Sequence, residues 1–386
     1  MPTPVSTAAG VTVRPVRTKR DLKRFIDFPY RFYKKYPHWV PPLRRDVANL
    51  LNPKKHPFFE HGRLQSFLAE NEGGAVVGRI AGIVNGTHLK TFDDGVGFFG
   101  FFECEERYET TAALLDAACQ WVRDQGLTRV RGPTNPSLHY TAGVLIDGFD
   151  REPSLLMPYN PPYYEGFLLR YGFERAMTMW AYYVHAKYTN IDYLRRGAEI
   201  VLRRNPGLTL RKPDMSRYDE EALIMRDIYN EAWTENWGFV PITDAEFDHF
   251  SAEMKQIIDP NLIYFLEKDG EPVAFSLSLP NINLGLRRIR NGRLFPTGLL
   301  KLLALDKLGG YYEARMILMG ARKAYHGRAV AMIPMLATME YGETAYDGFE
   351  MSWILDSNHV TLKLMPSIGA VVDKEYALFE KRLSAA

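Results

Sequence analysis

Residues 314–358 read ARMILMGARKAYHGRAVAMIPMLATMEYGETAYDGFEMSWILDSN, and the pattern of this segment predicts four consecutive elements. The apolar run 314–319 predicts a buried strand, and a short basic turn follows it at 320–329. Apolar residues then recur at helical spacing over 330–346. Residues 349–355 alternate as a second strand. The stretch is therefore predicted to form a strand, a turn, a helix and a strand.

The turn before the predicted helix has the properties of a phosphate-binding site. The first backbone N–H groups of a helix lack an intrahelical acceptor, and the helix dipole adds partial positive charge at this end. Phosphate groups bind at such ends. Arg322, Lys323 and Arg328 would add countercharge.

The same turn resembles the coenzyme A signature of the GNAT acyltransferase superfamily, an Arg/Gln-x-x-Gly-x-Gly/Ala motif between the fourth strand and third helix of that fold. The matching positions are His326, Ala329 and Ala331, so histidine replaces the usual Arg or Gln and alanine replaces the central glycine. The continuation through 350–358 to 376–380 resembles the end of the fold in order and spacing. The resemblance implies an acyl-CoA site formed by Arg322, His326, Gly327, Arg328, Ala329, Val330, Ala331 and Asn358.

Length and composition predict two domains and argue against several classes of protein and site. A chain of 386 residues is long for one core, and its net charge of +2 argues against a general nucleic-acid-binding protein. Two cysteines, Cys104 and Cys119, suit a reducing compartment, and no His, Cys or carboxylate cluster has metal-ligand spacing. We therefore expect a protein that needs no metal. The sequence has neither an apolar run of membrane-spanning length nor a signal-peptide region, so we also expect a cytoplasmic protein.

One order of predicted elements occurs twice. Three strands, a helix and a strand are predicted over 65–136, and the same order begins again after residue 262. This periodicity and the resemblance together predict an α/β fold with a mixed sheet, built from two GNAT-like domains in tandem. The predicted parts are a disordered tail at 1–10, an N-terminal domain at 11–205 and a C-terminal domain at 206–386 with a basic, leucine-rich insert at 284–308.

The two halves differ at the position of the phosphate turn. The first half carries Glu103, Glu105 and Glu106 there, and three carboxylates would repel a pyrophosphate. We therefore expect only the C-terminal domain to bind acyl-CoA, while the N-terminal domain shapes the substrate pocket. This division of roles between the two domains resembles that of other tandem GNAT enzymes.

Candidate catalytic residues follow from the chemistry of thioester aminolysis, which needs a neutral amine, a proton acceptor and polarisation of the carbonyl. Glu350 is the first candidate base, and its alternative is a solvated glutamate at a strand end. His139 is the second, although a lone histidine in such a loop is more often structural. The family's frequent acidic tyrosine corresponds to Met365, so either Tyr325 or Tyr341 protonates the thiolate or the thiolate leaves unassisted.

Candidate substrate-binding residues lie in two segments of the first half. The turn at 133–137 precedes His139 and Tyr140, and the stiff aromatic segment 157–164 is either a pocket wall or a packed loop. The candidates are Asn135, Tyr140, Tyr159 and Tyr163. Asn358 in the second half either caps the next helix or touches the pantetheine arm of the coenzyme.

The insert at 284–308 is the largest departure from the GNAT pattern. It holds six basic residues against one acidic residue. Its leucines cover much of a short helix, and apolar surface flanked by basic residues is what binding to an anionic lipid surface requires. The alternative is an ordinary core helix with a solvated loop. If the insert meets lipid, the protein is peripheral at the inner membrane.

The whole chain, including DVANLLNPK at 46–54 and HPFFE at 56–60, resembles a bacterial branch of tandem GNAT proteins that contains ceramide synthases. The resemblance implies an acyl-CoA-dependent N-acyltransferase that joins a long-chain acyl group to a primary amine, a sphingoid base in that branch, to give (dihydro)ceramide. Two alternatives stay open, an N-acetyltransferase of a small soluble amine and a non-catalytic acyl-CoA-binding protein. The sequence leaves the oligomeric state open.

Overall fold

The structure of the protein, a computed structural model, describes residues 5–8, 10–307 and 309–383. Within these residues the chain forms two compact units. Unit 1 contains the chain as far as Thr178, the segment Leu286–Leu302 and the chain from Glu375 onwards. Unit 2 contains Met179–Gly285 and Leu303–Lys374.

The elements agree with the predicted order. The strands are β1 (Val5–Ala8), β2 (Val11–Pro15), β3 (Gly62–Asn71), β4 (Val76–Asn85), β5 (Val96–Cys104), β6 (Arg129–Gly132), β7 (Thr134–Asn135), β8 (Thr141–Ala142), β9 (Val144–Asp147), β10 (Glu174–His185), β11 (Leu208–Arg211), β12 (Ile263–Lys268), β13 (Glu271–Pro280), β14 (Glu313–Ala321), β15 (Gly348–Leu355) and β16 (Val371–Arg382). The α-helices are α1 (Lys19–Phe32), α2 (Arg44–Leu50), α3 (Gly86–Phe92), α4 (Tyr108–Asp124), α5 (Tyr163–Tyr171), α6 (Ile191–Arg204), α7 (Tyr218–Ala232), α8 (Asp244–Met254), α9 (Asn283–Leu286), α10 (Gly298–Lys307), α11 (Met332–Ala345) and α12 (His359–Ser367).

The sheet of unit 1 runs in the order β1-β2-β3-β4-β5-β6 and continues with residues 375–382 of β16. Strands β5 and β6 pair in parallel, whereas the other neighbours are antiparallel. Helix α4 buries Leu114, Ala118 and Val122 in the core of this unit. Their spacing of four residues places them on one face of the helix.

The sheet of unit 2 repeats this plan. Residues 179–185 of β10 pair with β15, and the order continues β14-β13-β12-β11. Strands β14 and β15 are parallel, and α11 buries Met335 and Met339 against Phe349 and Met351 of β15. Each unit therefore has an antiparallel hairpin, a third antiparallel strand, a helix and a parallel strand. The predicted mixed sheet and internal duplication are confirmed.

The structure differs from the prediction at two places. In the predicted disordered tail, Val5–Ala8 instead forms β1, because pairing with β2 satisfies its backbone groups; the rest of 1–9 lies outside the described residues. The units also divide at Thr178 rather than at 205/206, and the part of the last strand from Glu375 onwards belongs to unit 1. Hydrophobic alternation identifies a strand but does not specify its partner. No helix in the described part of the chain is long and apolar enough to cross a bilayer.

Candidate functional site

The candidate site lies in unit 2, where β14 and β15 separate. Their parallel pairing ends at Met316 and Met351. Immediately beyond, Ile317 is the extra residue of a bulge in β14, because its neighbours on either side pair with consecutive residues of β13. A bulge bends its strand away from the regular ladder. The separated segments 317–321 and 351–355 line a cavity of about 230 Å³.

Methionines form much of the wall of this cavity. The five are Met316, Met319, Met335, Met351 and Met365. Methionine is flexible and polarisable, so this wall can adapt to apolar chains of different shape. Met365, which the resemblance aligned with the family's general-acid tyrosine, is only 1% exposed. The cavity wall therefore has an apolar side chain at this position.

The turn between β14 and α11 presents backbone N–H groups beside this cavity. Gly327 and Ala329 have left-handed φ angles of 74° and 56°, and Ala329 reaches this angle without being glycine. Within the described residues, the N–H groups of Gly327, Ala329, Val330 and Ala331 have no hydrogen-bond acceptor. Successive unpaired N–H groups at a helix N-terminus form an anion-binding concavity. The turn therefore has the geometry of a site for an anionic group such as phosphate.

The side chains of the turn play different parts. His326 lines the cavity, and its Nε2 lies 3.0 Å from the carbonyl oxygen of Ala321, which ties the turn to the end of β14. Arg322 forms a 3.0 Å ion pair with Glu231 of α7, so its charge is already partly compensated. The guanidinium of Arg328 lies 5.5 Å from the ring centre of Tyr325. Lys323 Nζ lies 3.7 Å from Glu235 Oε1, so the countercharge predicted for phosphate is reduced at both Arg322 and Lys323.

Tyr325 and Asn358 also have defined positions. Among the described residues, the cavity wall includes His326 and Asn358 but not Tyr325. Asn358 caps α12, since its Oδ1 accepts a 3.2 Å hydrogen bond from the Thr361 N–H. Capping and a place at the cavity occur together, so the two roles proposed for Asn358 do not exclude each other.

Glu350 on β15 is buried, with 4% of its surface exposed. The Ser352 hydroxyl donates a 2.6 Å hydrogen bond to its Oε1. Arg315 Nε lies 3.9 Å from Oε1, and Lys374 Nζ lies 4.0 Å from Oε2. Burial raises the pKa of Glu350, and the two cations oppose the rise. The solvated-glutamate alternative is wrong, and a carboxylate with a raised pKa is a better proton acceptor near neutral pH.

Sequence reasoning missed the cations around Glu350. Arg315 donates from Nε to Ser352 Oγ and from Nη2 to the Ser352 carbonyl oxygen, both at 3.0 Å. Lys374, 2% exposed, also contacts the carboxylate of its neighbour Asp373. An available signal was Arg315 itself, a charged residue inside the apolar run 314–319. Buried arginine needs a partner, which pointed to an acidic residue on a neighbouring strand.

The candidates in the first half lie in unit 1. Asn135 Oδ1 accepts a 2.6 Å hydrogen bond from the N–H of Phe101, whose φ of 50° is left-handed. Asn135 therefore stabilises the bulged end of β5. The backbone N–H of His139 donates to Ser137 Oγ at 3.3 Å, and the Tyr140 ring lies 5.4 Å from that of His56. These contacts hold the loop, and the catalytic role of His139 stays a prediction.

Two tyrosines of the aromatic segment use their hydroxyls to fix backbone. Tyr159 donates to the Phe149 carbonyl oxygen at 3.1 Å, and Tyr163 donates to the Cys104 carbonyl oxygen at 2.7 Å. Burial raises the pKa of both phenols. The packed-loop alternative accounts for these contacts, and substrate binding by these residues stays a prediction.

In the first half, Glu103 lies at the end of β5. This place in the first half corresponds to the phosphate turn of the second half. The hydroxyls of Tyr33 and Tyr164 donate to the Glu103 carboxylate, and Arg79 Nη2 lies 3.8 Å away. Burial raises its pKa to about 7. Glu103 is therefore an internal group of unit 1. Across the described residues of both units, no three His, Cys, Asp or Glu side chains form a group that could hold a metal ion.

Comparisons with known proteins place the chain among relatives of similar length. It is 35% identical over 389 residues to "Bacterial ceramide synthase" of Caulobacter vibrioides, and the alignment covers 98% of this chain and 99% of the relative. It is 33% identical over 376 residues to "Protein YghO" of Escherichia coli K12, which covers 96% and 95%. A solved tandem GNAT protein from the clavulanic acid biosynthesis pathway superposes with a TM-score of 0.56 at 12% identity, covering 97% of this chain and 99% of that one. No protein-family model matches the chain.

Proposed function

Because the chain belongs to the family of tandem GNAT-like acyl-CoA N-acyltransferases that includes the Caulobacter ceramide synthase, we propose that it transfers a long-chain acyl group to the primary amine of a sphingoid base. The observation that carries the proposal is 35% identity along almost the whole chain. The methionine-rich cavity wall supports it, since an acyl chain requires an apolar surface.

The geometry of unit 2 supports a proposal for the residues that hold acyl-CoA. The unpaired N–H groups of residues 327 and 329–331 bind the diphosphate, and the gap between β14 and β15 takes the arm that ends in the thioester. The thioester supplies an activated acyl carbon and a thiolate leaving group. The amine must lose one proton when the amide forms, and Glu350 is the acceptor because burial raises its pKa and it lies beside the cavity wall.

The first test pairs sphinganine with two donors. We expect the purified protein to release thiol and form an N-acylated product with palmitoyl-CoA but not with acetyl-CoA. Released thiol is followed by absorbance, and the product is identified by mass spectrometry. Thiol release with acetyl-CoA and a soluble amine would favour the small-molecule acetyltransferase, and coenzyme binding without turnover would favour the non-catalytic protein.

We also propose that the segment Leu286–Leu302 of unit 1 contacts anionic membrane. Arg44 anchors its base, with its N–H donating to the Gly292 carbonyl oxygen at 2.9 Å. Beyond this anchor, Phe295 is 67% and Leu300 66% exposed, and Arg293 beside them is exposed too. The exposure of Phe295 and Leu300 disagrees with the core-helix alternative, and the pairing of apolar and basic groups suits a lipid surface.

Replacing Phe295 and Leu300 together by glutamate should reduce binding to vesicles. The change removes apolar contact and adds repulsion from anionic headgroups, so we expect at least about tenfold weaker binding. Sedimentation with phosphatidylglycerol-containing vesicles measures it, at low and at high salt. The matched control replaces Leu169 and Leu223, which are 46% and 41% exposed elsewhere, by glutamate. Equal binding by both double variants would contradict the proposal.

A further inference from the structure

Glu350 lies next to the cavity but does not form its wall. The cluster around it contains four buried residues, Arg315, Ser352, Asp373 and Lys374, and the half-buried Glu313. Of this cluster, Ser352 is the member that lines the cavity in the described part of unit 2. Ser352 therefore connects the cavity wall to the Glu350 carboxylate through a hydrogen bond.

The hydroxyl of Ser352 is oriented by its two neighbours. It donates its own proton to Glu350 Oε1 at 2.6 Å, and it accepts from Arg315 Nε at 3.0 Å. Arginine can only donate, so its contact fixes a lone pair of the serine and directs the serine proton to the carboxylate. The chain Arg315–Ser352–Glu350 thus has one defined direction of proton donation.

From this geometry, and relying on the proposed acyl transfer, we propose that Ser352 is a catalytic residue that relays the amine proton to Glu350. As the C–N bond forms, the C–S bond breaks and sulfur keeps the electron pair. The nitrogen gives one proton to Ser352 Oγ, and the serine gives its original proton to Glu350 Oε1. Ser352 is neutral before and after, and Glu350 changes from carboxylate to carboxylic acid.

The charges that face Glu350 suit both ends of this transfer. Arg315 on β14 and Lys374 on β16 stabilise the carboxylate before transfer. Burial and the nearby acidic groups Glu313 and Asp373 favour the neutral acid afterwards. Tyr183 of β10 stands opposite Glu350 in the register, and burial raises the pKa of its phenol, so it adds no charge near neutral pH. These opposing effects partly cancel, so neither the carboxylate nor the carboxylic acid form of Glu350 is strongly favoured.

The test compares Ser352→Ala with Ser352→Thr in the full chain. We expect Ser352→Ala to lower kcat by about 100-fold with an unchanged KM for acyl-CoA, because a proton transfer is lost and coenzyme binding is not. Ser352→Thr retains a hydroxyl and should restore most of the rate. The matched control is Ser276→Ala, since Ser276 is equally buried and hydrogen-bonded to Pro334 and Thr338 away from Glu350.

A second measurement needs no variant and separates a relay from a structural role. If two protons move together, the rate in mixtures of H₂O and D₂O should depend on the deuterium fraction along a curve, whereas one moving proton gives a straight line. A straight line for the wild type, or a kcat of Ser352→Ala within about twofold of wild type, would overturn the relay and leave the acyl transfer intact. A wild type that releases no thiol with any amine would overturn both proposals.

Discussion

Replacing Glu350 by glutamine is expected to lower kcat by about 1,000-fold while leaving the fold intact. Glutamine has nearly the same size, and its amide oxygen can still accept the hydrogen bond of Ser352. It cannot take up a proton near neutral pH, so the amine loses its acceptor. Initial rates with saturating acyl-CoA measure the effect, and exposed Glu343 on α11 offers a matched control as Glu343→Gln.

Stability should respond to this substitution in a defined direction. Burial raises the pKa of Glu350 in the folded state, so the folded protein binds this proton more tightly than the unfolded chain does. The stabilisation that results is present below the unfolded-state pKa and is lost as the pH rises through the folded-state pKa. Glutamine removes that dependence, so the free energy of unfolding of Glu350→Gln should not fall below that of wild type at neutral pH.

Two outcomes would contradict this account of Glu350. A rate for Glu350→Gln close to that of Glu343→Gln would mean that another group takes the proton, and His139 would then be the next candidate. A large fall in the melting temperature of Glu350→Gln at neutral pH would mean that the ion pairs with Arg315 and Lys374 outweigh burial. Chemical denaturation of wild type and Glu350→Gln at several pH values measures the contribution of Glu350 to the free energy of unfolding. The neighbouring Glu313 is present in both proteins, so its contribution is common to both.

The sequence predicts the elements of the site because their signals are local. The apolar run before Gly320 and the helical spacing after Val330 each identify an element within a few residues. The turn between them is recognisable from small and basic residues, although Ala329 shows that the left-handed position does not require glycine. Burial at Phe349 and Met351 likewise follows from the alternation of apolar and polar residues over 349–352, although the polar Glu350 and Ser352 are buried as well.

The partners of buried charges cannot be predicted in this way. Lys374 lies 24 positions after Glu350, and alternation in β16 does not indicate which carboxylate it meets. The hydrogen-bond partners of the Tyr159 and Tyr163 hydroxyls cannot be predicted either. An aromatic segment predicts a pocket wall whether its hydroxyl groups face the substrate or the backbone. Such contacts depend on which strands become neighbours, and the return of the last strand to unit 1 from Glu375 onwards shows that chain order does not determine this.

Replacing Ala331 by glutamate should weaken coenzyme A binding by about 10- to 100-fold without destabilising the protein. Ala331 precedes α11, and its N–H is one of the unpaired donors of the turn. A carboxylate at a helix N-terminus interacts favourably with the dipole by about 0.3–1 kcal/mol, so the fold should tolerate it. The same charge competes with a diphosphate for the N–H groups and repels it, at about 4 kcal/mol for unit charges 4 Å apart near a protein surface before salt screening.

Titration calorimetry with coenzyme A measures this effect, and Ala331→Gln is the matched control because it has the size of glutamate without the charge. Weak binding by both variants would indicate that bulk rather than charge disturbs the turn, whereas wild-type affinity in both would place the diphosphate elsewhere. Added salt should narrow the difference between the two variants, since screening shortens the range of the repulsion. Loss of affinity with glutamate alone, together with an unchanged or higher melting temperature, would assign the diphosphate to the N-terminus of α11 by its charge, independently of any assay of turnover.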